Sequence, residues 1–177
     1  MNKGITAAMA AFVFVAGIGV GYGAKHRPAA TQAMYHGKTG QEAAKALLAV
    51  ALAQAGDGSW ERIGVGRVYY LGGLKAEGQA IFDAVLAGKH DDGDVYRIAR
   101  VYREAGEWDK ARPLFERYLD ANPEEAKDWA EVGAYAMLAG DRAAAERMYD
   151  NSFATEPDEL WSTLSAAGAY LGVAPQQ

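Results

Sequence analysis

No cysteine occurs in the 177 residues, so disulfides, thiol nucleophiles, cysteine-ligated metals and a cysteine-borne lipid anchor are all excluded. Histidine is scarce as well: His26, His36 and His90 stand alone, and none has a second histidine at the three- or four-residue spacing that builds a metal face on a helix. No metal site and no cofactor is expected. Basic charge is in deficit, 18 Lys and Arg against 23 Asp and Glu, which argues against nucleic acid as a partner because phosphate binding needs a basic face. At this length a large multidomain enzyme is excluded, and one compact domain with an appendage is the expectation. Half the residues are hydrophobic and 23% are charged, ordinary globular values that fit neither a disordered chain nor a polytopic membrane protein.

Charge is graded along the chain. Residues 1–58 carry five basic and two acidic groups, residues 59–118 carry ten of each, and residues 119–177 carry three basic and eleven acidic. The acidic last third is expected to keep the domain soluble and away from anionic lipid.

One long uncharged run is present. Between Lys3 and Lys25, residues 4–24 are rich in Ala, Val, Ile, Phe and Gly. As a helix at 1.5 Å per residue that run covers about 30 Å, the hydrocarbon thickness of a bilayer. Residues 1–27 are therefore read as a membrane anchor with its flank; the alternative is an export signal, which needs small residues before its cleavage point and here meets Tyr22-Gly23-Ala24. Gly17 and Gly21, and Gly19 and Gly23, are each four apart, a pattern that lets membrane helices pack closely. Because so short an N-terminal tail usually stays cytoplasmic, the expected protein is single-pass with its main domain on the periplasmic side.

The rest of the chain repeats. One copy reads Trp129-x-x-Val132-Gly133-x-x-Ala136, Gly140-Asp141, Ala145-x-x-x-Tyr149 and Pro157. The copy 34 residues earlier reads Val95-x-x-Ile98-Ala99-x-x-Tyr102, Gly106-Glu107, Ala111-x-x-x-Phe115 and Pro123. A third, 33 residues before that, reads Arg62-x-x-Val65-Gly66-x-x-Tyr69, Gly73 and Gly78-x-x-x-Phe82, with His90 in place of the proline. Small residues at these positions let two helices of a hairpin approach, aromatics fill the space beside them, and the glycines end the first helix of each pair.

This pattern resembles the tetratricopeptide repeat, and with the apolar run it resembles membrane-anchored bacterial proteins of that family. Arg62 in the Trp place and Gly78 in the Ala place are departures. The resemblance implies an all-α solenoid: residues 28–58 form a degenerate repeat or capping helices, 59–157 three repeats, and 158–177 a capping helix and tail. It also implies a scaffold that binds other proteins, an accessory or assembly subunit of a membrane or envelope complex; the alternative is a soluble exported accessory protein released after signal cleavage.

In such a solenoid the first helix of each hairpin lines the concave face. Helical spacing then assigns a partner-binding groove to Trp60, Ile63, Arg67 and Tyr70, continued by Tyr96, Arg97, Arg100 and Arg103, and by Lys127, Ala130, Ala134 and Met137, with Trp161 and Leu164 closing the far wall. Arg and aromatic side chains anchor interfaces, so a peptide bearing carboxylates is the expected occupant. The competing reading pairs the arginines with Glu104, Glu107 and Asp94 on solvated faces. Some family members clamp a C-terminal carboxylate through Lys, Asn and Arg; here Asn2, Asn122 and Asn151 fall outside the first helices, so that ligand is not carried over.

Catalytic patterns are thin. Asp91-Asp92-Gly93-Asp94 lacks the later glutamate of a calcium loop and reads as a helix N-terminus. Gly64-Val65-Gly66 lacks the third glycine and preceding strand of a dinucleotide loop, and no Gly-x-Ser-x-Gly occurs. Neither enzymatic activity nor a small-molecule substrate is expected.

Overall fold

The computed structural model describes residues 27–176. Among them are a 3-10 turn at Gln32–Met34 and eight α-helices, with no strand. The helices are α1 (Gly40–Ala55), α2 (Ser59–Leu71), α3 (Lys75–Ala87), α4 (Asp92–Glu104), α5 (Trp108–Ala121), α6 (Ala126–Leu138), α7 (Arg142–Thr155) and α8 (Leu160–Tyr170). The membrane-anchor reading of residues 4–24, with Gly17, Gly19, Gly21 and Gly23, lies outside the described residues. No described helix is long and apolar enough to cross a membrane.

Starts and stops follow from local chemistry. Thr39 opens α1 and Asp91 opens α4 through reciprocal capping boxes, in which Glu42 and Asp94 return a carboxylate to the backbone N–H of the cap residue. The Asp91–Asp94 stretch is thus a helix start, as its sequence suggested. Each first helix of a hairpin ends at a glycine with positive φ, Gly73 at 86°, Gly106 at 75° and Gly140 at 89°. In each case the next N–H reaches back to a carbonyl at 2.9 Å: Leu74 to Tyr69, Glu107 to Tyr102, and Asp141 to Ala136. These bonds satisfy carbonyls that the helix end would orphan, and only glycine takes that φ without a steric penalty. The same turn closes α8, where Gly172 has φ 78° and Val173 N–H meets the Gly168 carbonyl at 2.8 Å.

Three hairpins result, α2 with α3, α4 with α5 and α6 with α7, stacked by contacts of α2 with α4 and of α5 with α6. This all-α stack is consistent with a tetratricopeptide-like solenoid. Phe82 and Phe115 are fully buried, as are Ile98 and Leu119, in a continuous core that runs from Ile63 to Ala166. Burying such a side chain stabilises the fold by about 1.5–3 kcal/mol each. The glycine at position 78 has a packing reason: a Cβ there would lie 2.7 Å from the Gly66 carbonyl oxygen and 2.8 Å from the Tyr70 backbone N. The first hairpin therefore closes too tightly for the alanine found at the equivalent positions 111 and 145.

The ends differ. A small separate cluster of Leu48, Val65 and Ile81 ties α1 to the first hairpin. At the other end α8 packs chiefly on α6, burying Ser162, Ala166 and Ala169. Tyr170 meets α7, with its hydroxyl on Glu146 at 3.1 Å.

Candidate functional site

Between α2 and α4 the stack leaves a cavity of about 250 Å³. Trp60, Ile63, Gly64 and Arg67 line it from α2, and Arg97, Arg100, Val101, Arg103 and Glu104 line it from α4. Six of the residues assigned to the groove from spacing thus meet at one place, because positions three and four apart share a helix face.

The charge of this cavity is one-sided. Four arginines face a single glutamate, in a protein whose net charge is −5. Arg67 grips Glu104 through two N–H groups, one of them the Nε at 2.8 Å from Oε2, and this bonding raises the arginine's pKa. Arg97 lies 3.3 Å from the buried Asp94 and stacks its guanidinium 4.5 Å from the centre of the exposed Trp60 ring. The pairing expected of Arg67 and Arg97 on solvated faces is therefore present. Arg100 reaches Glu131 of α6 only at 4.0 Å. Arg103 forms no ion pair among the described residues and lies over the Tyr135 ring, 4.2 Å from its centroid.

Other groove assignments are corrected. Tyr70 is a core residue: it packs on Phe82 and Tyr102, and its hydroxyl joins Glu107 and Lys110. Glu107 consequently serves Lys75, Lys110 and Tyr70, and no arginine; these three partners hold its carboxyl at about 2. Tyr96 packs inward on Phe115 and Tyr118, with its hydroxyl buried, and burial raises its pKa. Met137 packs against the core, and Ala130 and Ala134 are fully buried, because α6 is sandwiched between α7 and α8. Lys127, Trp161 and Leu164 line a second cavity of about 540 Å³ between α6 and α8, partly walled by the tail at 173–176. The positions drawn from spacing as a single groove thus line two separate cavities or lie in the core.

A third cavity, of about 300 Å³, is lined by Arg103 together with residues that spacing missed: Gly106, Trp108 of α5, and Tyr135, Leu138 and Ala139 at the end of α6. Trp108 belongs to a second helix, so a search limited to first helices passes over it. Among the described residues no group of three or more His, Asp or Glu side chains is placed to hold a metal.

Residues 92–134 match the tetratricopeptide repeat family model. That stretch runs from the start of α4 through α5 into α6, and it carries Arg97, Arg100 and Arg103. No curated protein and no solved structure matches the chain. Tetratricopeptide repeats bind other proteins, and a concave surface rich in arginine and aromatic side chains has the composition of interface anchors. The arginine cavity is built largely on the matched repeat. Its chemistry favours acceptors: guanidinium groups carry five N–H donors and no acceptor, in a fork that suits carboxylates.

Proposed function

We propose that this protein is a non-enzymatic scaffold, anchored in a membrane through residues 4–24, that serves as an accessory or assembly subunit of a membrane or envelope complex. It holds acidic segments of partner proteins in the groove between α2 and α4. The observation that carries the groove assignment is the excess of four arginines over one glutamate lining that cavity, of which Arg100 meets a carboxylate only at 4.0 Å and Arg103 forms no ion pair among the described residues. Residues 4–24 contribute the anchor because they form an uncharged run of bilayer length rich in Ala, Val, Ile, Phe and Gly.

Purification of the native protein from membranes in mild detergent, with mass spectrometry of what accompanies it, tests both parts. Partners at fixed stoichiometry and an intact N-terminal peptide are the expected result. A lone protein with a trimmed N-terminus would replace the anchor by an export signal. Arg67→Glu combined with Arg100→Glu should abolish partner retention, and retention unchanged by that double variant would remove the groove assignment.

A further inference from the structure

Six of the ten large hydrophobic side chains that stand exposed among the described residues lie on α8 and the turn that follows it. Gathered at one end of the molecule, they form a patch and not a scatter of single residues. Trp161 is 53% exposed, Leu164 50% and Val173 59%, and all three line the 540 Å³ cavity between α6 and α8. Their side chains are open to a partner. Spacing puts Trp161, Leu164 and Gly168 on one face of α8, and the turn at Gly172 brings the tail back so that the Val173 N–H meets the Gly168 carbonyl at 2.8 Å.

The opposite wall belongs to α6, and it is acidic. Lys127 is paired with Glu159 at 3.4 Å, which leaves Asp128 and Glu131 as the net charge of the cavity. Each takes a tyrosine hydroxyl on one oxygen, Asp128 Oδ2 from Tyr118 at 2.5 Å and Glu131 Oε1 from Tyr135. Arg100 approaches Glu131 only to 4.0 Å. The second oxygens, Asp128 Oδ1 and Glu131 Oε2, accept no hydrogen bond among the described residues, and neither is buried. A carboxylate in this state has acceptor capacity to spare.

We propose that the α6–α8 cavity seats a basic segment of a partner protein. An arginine or lysine of that segment is held by Asp128 and Glu131, and a neighbouring aromatic or large aliphatic side chain lies on Trp161 and Leu164. Charge complementarity carries the choice of occupant, since the wall is acidic and residues 119–177 hold three basic groups against eleven acidic ones. The same charge repels an anionic lipid surface, and two copies meeting α8 to α8 would bring like charges together. The inference goes beyond the acid-binding groove between α2 and α4 and does not rest on it: this cavity has the opposite charge and lies at the other end of the stack, and α8 falls outside the matched repeat.

The test uses the full chain in mild detergent and Gly/Ser peptides labelled with fluorescein at the N-terminus and amidated at the C-terminus. Their central residues are Arg-Phe-Arg-Leu, Gln-Phe-Gln-Leu or Glu-Phe-Glu-Leu. Fluorescence anisotropy should show the arginine peptide binding about tenfold more tightly than the glutamine peptide, the worth of one charge-assisted hydrogen bond, and the glutamate peptide not binding. Asp128→Asn combined with Glu131→Gln, which keeps acceptors for both tyrosine hydroxyls, should bring the arginine peptide down to the affinity of the glutamine peptide. Trp161→Ala should weaken both peptides, and Arg67→Gln, in the other cavity, should change neither. Should Trp161→Ala disturb α8, Leu164→Gln must produce the same loss. Equal affinity for the arginine and glutamine peptides, no binding by any peptide, or binding indifferent to the acidic double variant or to both Trp161→Ala and Leu164→Gln overturns the site. Self-association, or binding to phosphatidylcholine vesicles, that Trp161→Ala removes while no peptide binds would give the face to a second copy or to lipid instead.

Discussion

Arg67, Arg100 and Ala134 occupy one register position in three successive repeats, 33 and 34 residues apart. The first two face an open cavity, whereas the third is fully buried in a helix flanked on both sides by α7 and α8. One position on one kind of helix thus lines an open cavity at one end of the molecule and is core at the other. The difference lies in the neighbour: α2 and α4 approach each other loosely enough to leave space for long side chains, while α8 presents Ser162, Ala166 and Ala169 and comes close. Small residues on both faces permit the close approach, and the close approach in turn demands them.

The most severe way to break this contrast is Ala134→Arg, which copies the open end into the closed one. It would bury a charge with no partner, and we expect a loss of about 3–5 kcal/mol, read as a fall in the urea midpoint and as protease cleavage at the α7–α8 connection. Arg100→Ala, the reverse exchange at the open end, should change the midpoint by less than about 1 kcal/mol, because a partly exposed pair that closes only to 4.0 Å contributes little. A milder probe is Ala166→Leu, which overfills the α6–α8 contact and should cost about 1–3 kcal/mol. Loss confined to α8, seen by hydrogen exchange with the α4–α5 amides still protected, would show that the closed end unfolds as its own unit.

The smallest effect concerns acid. Glu107 is held at about 2 by hydrogen bonds from Lys110, Lys75 and Tyr70, below its ordinary 4.5. Because the folded value is depressed, its contribution is present in full above pH 4.5 and is lost as pH falls through that value towards 2. Both lysines are more than half exposed, so the contribution is about 1 kcal/mol or less. Denaturant titrations at pH 5 and pH 2.5 should show this pH-dependent difference shrinking in Glu107→Gln. Glu146 is likewise lowered by Arg142 and Tyr170 where α8 meets α7, and Glu146→Gln beside Glu107→Gln reports whether the α4–α5 turn or the α7–α8 contact responds to acid.

Much of the architecture was legible because repeats declare themselves through recurring small and aromatic residues. Gly73, Gly106 and Gly140 mark turns that the structure forms with the same backbone bond each time. The Asp91 cap was readable for a similar reason, as a short-range pattern complete within four residues. Pro113 shows the limit of local signals, since it stands inside α5, where only the first-turn carbonyl of Asp109 goes without its helical donor. Periodicity alone put Trp60, Arg67 and Arg100 on helix faces that line one cavity. It did not do so for Tyr70, Tyr96 and Met137, because helical spacing gives a direction around one helix and says nothing about whether a neighbour occupies it. Trp108 and Tyr135 carry no pattern that would have brought them together.

The amino-acid sequence by itself determined the helices, their caps and turns, the pairing into hairpins and the register of the arginines, since these depend on interactions within about one repeat length. Which face of that register stays open was decided only in three dimensions. Exposure of a side chain depends on the distance between helices separated in the chain, and it is the packing of α7 and α8 on α6 that accompanies the burial of Ala134.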